Sequence, residues 1–176
     1  MLKPINSLST SRGFSLLEVL ITILLITVGV LGMVAMQGRS IQYTNDSLHR
    51  TQAAILANEM IEIVRASPTL ATDDEAFYFS AELPTSVKDC REIDGASLMG
   101  DQIACWGDKV RRLLPDAGAQ DVSGQFHVCR TEVDGGLCGN GAAVEVQVAW
   151  RASGEQCLMD SEADPSICTY RARTQI

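Results

Sequence analysis

The chain is short of positive charge. Lys and Arg together number 14, against 22 Asp and Glu, which gives a formal net charge of −8. The sequence pI is accordingly near 4.7. A nucleic-acid-binding surface normally needs a patch of basic residues. The composition therefore argues against nucleic acid as a partner.

Residues that usually carry catalysis or bind metals are also scarce. There are two histidines, His49 and His127, and their separation is not a metal-ligand spacing. No two of the six cysteines have C-x-x-C spacing, which argues against a zinc site. No Ser/His/Asp, Cys/His or metal-binding constellation is apparent. We therefore expect no catalytic residue, no bound metal and no cofactor.

A long apolar run occurs once, from Phe14 to Met36, and Glu18 is its sole ionisable residue. A bilayer core of about 30 Å needs roughly 20 apolar residues in a helix, so this run is long enough to span it. A carboxylate near the centre of such a helix costs roughly 2.5–3.5 kcal/mol, and less toward its ends. Glu18 is therefore expected to need a partner. The alternative is an acid tolerated at the membrane interface.

The residues before the apolar run form a basic leader. Lys3 and Arg12 lie there, and no acid occurs among the first 17 residues. Positive charge keeps this flank cytoplasmic and sends the rest of the chain outward. A secretory signal would have a shorter apolar region followed by its cleavage site. Cleavage between Gly13 and Phe14 would instead remove the leader, retain the anchor and create an amine on Phe14.

The segment that follows the apolar run also has helical periodicity. Gln37–Ala66 contains no proline, and its apolar residues recur on one face of a helix: Ala53, Leu56, Ala57, Met60, Ile63 and Val64. Because Pro68 disfavours helical geometry just before it, we predict one helix over Phe14–Ala66. Its second half is amphipathic and must pack against the domain that follows. Gly29 and Gly32 indicate a bend, an unwound stretch or the close approach of another helix.

Strand signals dominate the last third of the chain. From Thr69 to Gly124 the signals are mixed, with a short helix or turn predicted over Asp108–Leu114. Three strands are then predicted, over Gln125–Arg130, Ala143–Arg151 and Cys168–Arg173. The second strand alternates apolar and polar residues, which is typical of a half-buried antiparallel strand. We therefore predict an α+β fold with one helix on one antiparallel sheet.

All six cysteines lie beyond the apolar run, on the side expected to be outside: Cys90, Cys105, Cys129, Cys138, Cys157 and Cys168. An even number in a small exported domain indicates up to three disulfides formed in an oxidising compartment. Six cysteines allow 15 pairings, and the sequence alone does not choose among them. The near-neighbour pairs Cys129–Cys138 and Cys157–Cys168 are the two that we predict.

The residues around the apolar run resemble a known family. Gly13-Phe14-Ser15-Leu16-Leu17-Glu18-Val19-Leu20 is similar to the class III leader and N-terminus of type IV pilins, whose motif is G-F-[ST]-L-[IL]-E-[VL]-[LM]. The resemblance implies a type IV pilin fold, cleavage after Gly13 by a prepilin peptidase and methylation of the Phe14 amine. Glu18 matches the family's fifth-position glutamate, which is associated with subunit recruitment and assembly.

Two further stretches resemble a subgroup of the family. Residues 29–37 and the stretch Arg50–Arg65 are similar to the minor pilins called PilV. Ala35 stands where major pilins usually carry a proline. The resemblance therefore implies a leader peptide at 1–13, a transmembrane and assembly helix at 14–36, its amphipathic continuation at 37–66 and a cysteine-rich head at 67–176.

The expected function is that of a non-enzymatic minor pilin. The resemblance implies a part in the initiating or tip complex of a pilus, and so in surface motility and adhesion. The implied partners are a prepilin peptidase, other minor pilins, the major pilin and the inner-membrane assembly platform. The chain would sit in the inner membrane with a periplasmic head, and then on the pilus surface. The alternatives are a minor pseudopilin of a type II secretion system and a membrane-tethered periplasmic enzyme.

Overall fold

A computed structural model describes residues 13–66, 79–80, 82–84, 90–92, 99–135, 138–139, 141–154, 157 and 164–175. The chain divides into two compact units, unit 1 at Met1–Ile41 and unit 2 at Gln42–Ile176. The helices are α1 (Leu16–Ala66), α2 (Met99–Leu113) and α3 (Gln120–Ser123), with a short 3₁₀ turn at Cys90–Glu92. The strands are β1 (Phe79–Ser80), β2 (His127–Thr131), β3 (Ala143–Arg151) and β4 (Ile167–Gln175).

The long helix agrees closely with the sequence. α1 begins at Leu16 and ends at Ala66, within two residues of the predicted start and at the predicted end. It continues without a break through Gly29 and Gly32, so the unwound stretch left open by the sequence does not occur in the isolated chain. Nothing lies within 4 Å of a Cβ built on either glycine. Both positions therefore have room for the close approach of a second helix.

The core of unit 2 forms between α1 and one face of the sheet. The helix buries six apolar residues here: Ala53, Leu56, Ala57, Met60, Ile61 and Val64. They join one hydrophobic cluster with the valines of β2 and β3, namely Val128, Val144, Val146 and Val148. Ile63, which the periodicity placed on the core face, is only partly buried at its edge. The predicted packing of the amphipathic half on the head is confirmed.

The sheet has the order β1-β2-β3-β4 and every pairing is antiparallel. β3 has the predicted bounds, β2 begins two residues later and ends one residue later than predicted, and β4 extends beyond its predicted bounds at both ends. The two-residue strand β1 was not predicted. The long helix, the small antiparallel sheet and the disulfides confirm the α+β class, and they are consistent with a type IV pilin fold.

The prediction that β3 is half-buried is wrong. Its residues from Ala143 to Trp150 are all buried, on both faces of the sheet. The face opposite α1 is covered at one end by the β2–β3 connection, where Gly135 binds Glu145. At the other end α3 packs against β3. The alternation of residue types was correct, but chain segments and not water contact the polar side chains.

A second helix joins α1 in the core. α2 covers Met99–Leu113, whereas the sequence predicted only a short helix or turn over Asp108–Leu114. The Trp106 Nε1–H donates a hydrogen bond to the Leu56 carbonyl of α1 at 2.9 Å, and Lys109 Nζ lies 2.6 Å from Glu59 Oε2. The glycines within α2 have low helix propensity, which weakened the local signal. Packing on α1 supplies the missing stability.

The three disulfides join Cys90 to Cys105, Cys129 to Cys138 and Cys157 to Cys168. The last two are the near-neighbour pairs that the sequence predicted. The first ties the 3₁₀ turn to α2. A disulfide typically contributes 2–4 kcal/mol by restricting the unfolded chain. Three disulfides therefore stabilise a head whose hydrophobic core is small.

Arg151, the last residue of β3, forms ion pairs with two aspartates of the chain between α2 and β2. The Arg151 Nε lies 3.0 Å from Asp116 Oδ2, and its Nη2 binds Asp121. The Arg151 main-chain N–H also donates to the Pro115 carbonyl at 3.0 Å. The hydrogen bond from Arg151 lowers the pKa of Asp121 below its usual value. Because these side chains are partly exposed, the cluster orients the α2–α3 connection more than it stabilises it.

Position 107 of α2 requires glycine. A Cβ there would lie 2.3 Å from the Pro84 carbonyl oxygen. The Leu83–Pro84 segment is fixed in place, because the Arg111 guanidinium donates to both of its carbonyls, at 2.6 and 2.9 Å. We expect Gly107→Ala to lower the free energy of unfolding by about 1–3 kcal/mol, as overpacking does.

Gly100→Ala is the matched control for this prediction. Gly100 lies in the same helix, and nothing is within 4 Å of its Cβ position. Alanine should therefore be neutral, or stabilising by up to about 1 kcal/mol. Unfolding of the full-length chain in detergent can be followed by the fluorescence of Trp106 and Trp150, which are both buried. Equal destabilisation by the two substitutions would contradict the steric argument.

Candidate functional site

The start of α1 is built from the residues of the leader motif. The Ser15 hydroxyl accepts a hydrogen bond from the Leu17 N–H at 3.3 Å, as a helix-capping serine does. The Ser15 carbonyl accepts from the Glu18 N–H at 3.0 Å. Gly13 and Phe14 precede the helix and are exposed. The expected cleavage site therefore lies in non-helical, accessible chain directly before the first helical turn.

Glu18 lies in that first turn and is exposed. Within the described part of the chain, no cationic side chain lies at salt-bridge distance from its carboxylate. In the uncut chain the Phe14 nitrogen belongs to a peptide bond with Gly13, so it carries no charge. An ammonium group one turn from Glu18 arises only when that bond is cut.

The apolar part of α1 is exposed on all sides. Its most apolar window has a mean hydropathy of 2.7, and none of it is buried. Of the helices described, α1 is the one long and apolar enough to cross a membrane. The Thr22 and Thr27 hydroxyls donate to backbone carbonyls one turn back, at 2.9 and 2.8 Å. A helix that is apolar all round needs lipid or other helices around it, and Glu18 is the one charged group that it carries there.

A known protein family matches the segment that contains Glu18 and the apolar part of α1. Residues 8–34 match the prokaryotic N-terminal methylation motif. The match supports a type IV pilin-like or pseudopilin protein, a class whose role is structural and not enzymatic. It implies processing by a prepilin peptidase and assembly with other pilins. With the exposed apolar helix, it also indicates membrane anchoring.

The methylation motif ends at residue 34, within α1, and the head lies outside it. No curated protein and no solved structure matches the chain. The choice between a pilin and a pseudopilin, and any role of the head, must therefore be argued from the residues themselves.

The sequence missed one polar cluster in the head. The alternation places Glu145 on the polar face of a strand predicted to be half-buried, but its side chain is fully buried beside His127, with Nε2 and Oε1 3.0 Å apart. No local signal reveals this pair, because Glu145 is buried only when the chain before β3 folds back over the strand. The described residues contain no group of three or more His, Cys, Asp or Glu side chains arranged to hold a metal ion.

Proposed function

We propose that this chain is a minor pilin of a type IV pilus, similar to PilV. In this proposal a prepilin peptidase cuts between Gly13 and Phe14, and the Phe14 amine is methylated. Residues 14–36 hold the subunit in the inner membrane, residues 37–66 continue the helix, and residues 67–176 form a periplasmic head. The observation that carries the proposal is the methylation motif at the start of an exposed apolar stretch, residues 14–36, whose single ionisable residue is Glu18.

Glu18 is the proposed determinant of subunit register. Opposite charges attract more strongly in a low-dielectric surrounding than in water, where the interaction is screened. After cleavage, the Phe14 ammonium of the same chain lies one turn away and can pair with Glu18. In an assembly, the amine of a neighbouring subunit takes its place. A neighbour shifted along the axis would leave Glu18 unpaired in apolar surroundings, which is strongly unfavourable.

Two stretches of α1 favour a role in a pilus over a role in a type II secretion system. Residues 29–37 and Arg50–Arg65 are similar to PilV minor pilins, whereas the leader, anchor and fold are common to both systems. In the proposed role the subunit joins an initiating or tip complex with other minor pilins and the major pilin on the inner-membrane platform. The head is then displayed at the pilus surface, where it contributes to adhesion and motility.

Deleting the gene tests the proposal. We expect the deletion strain to lose most surface pili and twitching, and to regain both when the full-length chain is supplied. Secretion of exported enzymes should be normal, which is the control for the second system. Normal pili together with lost secretion would identify a pseudopilin instead. Unchanged pili, motility and secretion would refute both functions.

A further inference from the structure

The β2–β3 connection returns to the sheet face opposite α1 at Gly135; we call its described residues, 132–135, 138–139 and 141–142, the strap. The strap is held by two hydrogen bonds to Arg130 as well as by the Cys129–Cys138 disulfide. The Gly139 N–H donates to the Arg130 carbonyl at 2.8 Å, and Arg130 Nε donates to the Gly141 carbonyl at 2.8 Å. The strap thus has a defined path that does not depend on the disulfide alone.

Glu145 contacts residues close to both cysteines of the Cys129–Cys138 disulfide. It is the register partner of Cys129 in the β2–β3 pairing, so the two residues lie side by side on the same face. One carboxylate oxygen accepts from the Gly135 N–H at 2.8 Å, and the other lies 3.0 Å from His127 Nε2. His127 lies in β2, two residues before Cys129, and Gly135 lies in the strap, three residues before Cys138.

The Glu145 carboxylate is fully buried, so it depends on its hydrogen bonds to His127 and Gly135. A charged group with no exposure to water needs hydrogen-bond donors from the protein, and leaving it without them is strongly unfavourable. Among the described residues, its hydrogen-bond partners are the His127 ring and the Gly135 main chain. The two contacts together hold Gly135, three residues before Cys138, beside the strand that carries Cys129.

From this geometry we propose that Glu145 is a positioning residue that selects the Cys129–Cys138 pairing during oxidative folding. Six thiols allow 15 pairings, and neither contact of Glu145 involves a cysteine sulfur. A thiolate of one cysteine attacks oxidised glutathione, forms a mixed disulfide and releases one glutathione thiolate. The second protein thiolate then attacks the protein sulfur and releases the other. Two electrons pass to glutathione, and the thiol protons end on the released thiolates or in solvent.

Gly135 gives an independent reason to expect this selection. Its φ is +66°, a conformation that side chains rarely adopt, and a Cβ there would lie 2.5 Å from Arg171 Nη1. The Gly135 amide is therefore directed at Glu145 by a backbone turn that glycine alone adopts without strain. Substituting Gly135 should disturb the same step while leaving the carboxylate intact.

The test is refolding of the reduced full-length chain in detergent with a mixture of reduced and oxidised glutathione. Samples are alkylated at intervals, and disulfide-linked peptides are counted by mass spectrometry. Glu145→Gln keeps the size of the side chain but turns an NH₂ group toward one of the two donors. We expect it to slow formation of Cys129–Cys138 about tenfold, because a charge-assisted hydrogen bond is lost. Gly135→Ala should slow it similarly.

Gln147→Met is the matched control. Gln147 lies on the same face and is nearly as buried, but it donates to the Gln125 carbonyl and accepts from Arg171, neither of which belongs to the strap. It should leave the rate of Cys129–Cys138 formation near that of the wild type. The pairs Cys90–Cys105 and Cys157–Cys168 serve as internal standards for folding in every sample.

Three results would overturn the inference. The first is a wild-type rate in Glu145→Gln. The second is an equal slowing in Gln147→Met, which would assign the effect to general stability. The third is an equal slowing of all three disulfides in Glu145→Gln, which would mean that the whole head fails to fold. The inference does not rest on the proposed function, since it concerns folding of the head in a pilin or a pseudopilin alike.

Discussion

Replacing Gly13 with leucine is expected to leave the whole chain at its precursor mass in the membrane. The structure gives a clear reason to assign such a result to the peptidase and not to the fold. Nothing lies within 4 Å of a Cβ built on Gly13, and the residue precedes the first turn of α1. A larger side chain therefore meets no part of this chain, and the restriction to glycine must come from the enzyme that reads the motif.

The measurement is the intact mass of the protein purified from membranes, together with the sequence of its first residues. The wild type should begin at Phe14 with a methylated amine and lack residues 1–13. Gly38→Leu is the control, because Gly38 also lies in exposed chain with open space around it and is outside the leader. Processing of Gly13→Leu at the wild-type position would show that the cleavage site is wrong.

The parts of the structure that the sequence predicts well are those set by local pattern. α1 and β3 were predicted nearly residue for residue, because an apolar run, a helical repeat and a strand alternation are each contained in one segment. The leader motif is readable for the same reason. Its Gly13, Phe14 and Glu18 lie within six consecutive residues, so no folding is needed to bring them together.

The parts that were missed depend on contacts between separate elements of the chain. α2 owes its stability to α1, which Trp106 reaches through the Leu56 carbonyl, 50 positions earlier. Glu145 is buried because the strap returns over it, and nothing in Ala143–Arg151 indicates which face will be covered. In both cases the residue types were compatible with two environments. Tertiary contacts decided between them.

Glu18→Ala is expected to have the second large effect, a loss of the subunit from assembled pili with normal processing and membrane insertion. Glu18 is exposed and belongs to unit 1, whereas the hydrophobic core lies in unit 2, so the head should fold as before. Losing one partner of a desolvated ion pair costs about 3–5 kcal/mol, because the other charge is left uncompensated. That corresponds to a decrease of roughly 100-fold or more in incorporation.

Two substitutions separate charge from shape in this experiment. Glu18→Gln retains the size and a hydrogen-bonding group but not the charge, and should be excluded from pili nearly as strongly as Glu18→Ala. Thr22→Ala is the matched control, because Thr22 is a polar residue one turn further along whose hydroxyl is satisfied by the Val19 carbonyl. It should enter pili like the wild type.

The amount of subunit in sheared pili, divided by the amount in the membrane, measures incorporation for each variant. Glu18→Ala and Glu18→Gln should both fall well below the wild type, because each removes the charge that pairs with the neighbour's amine. Wild-type incorporation of Glu18→Gln would show that Glu18 acts in assembly by some means other than this ion pair.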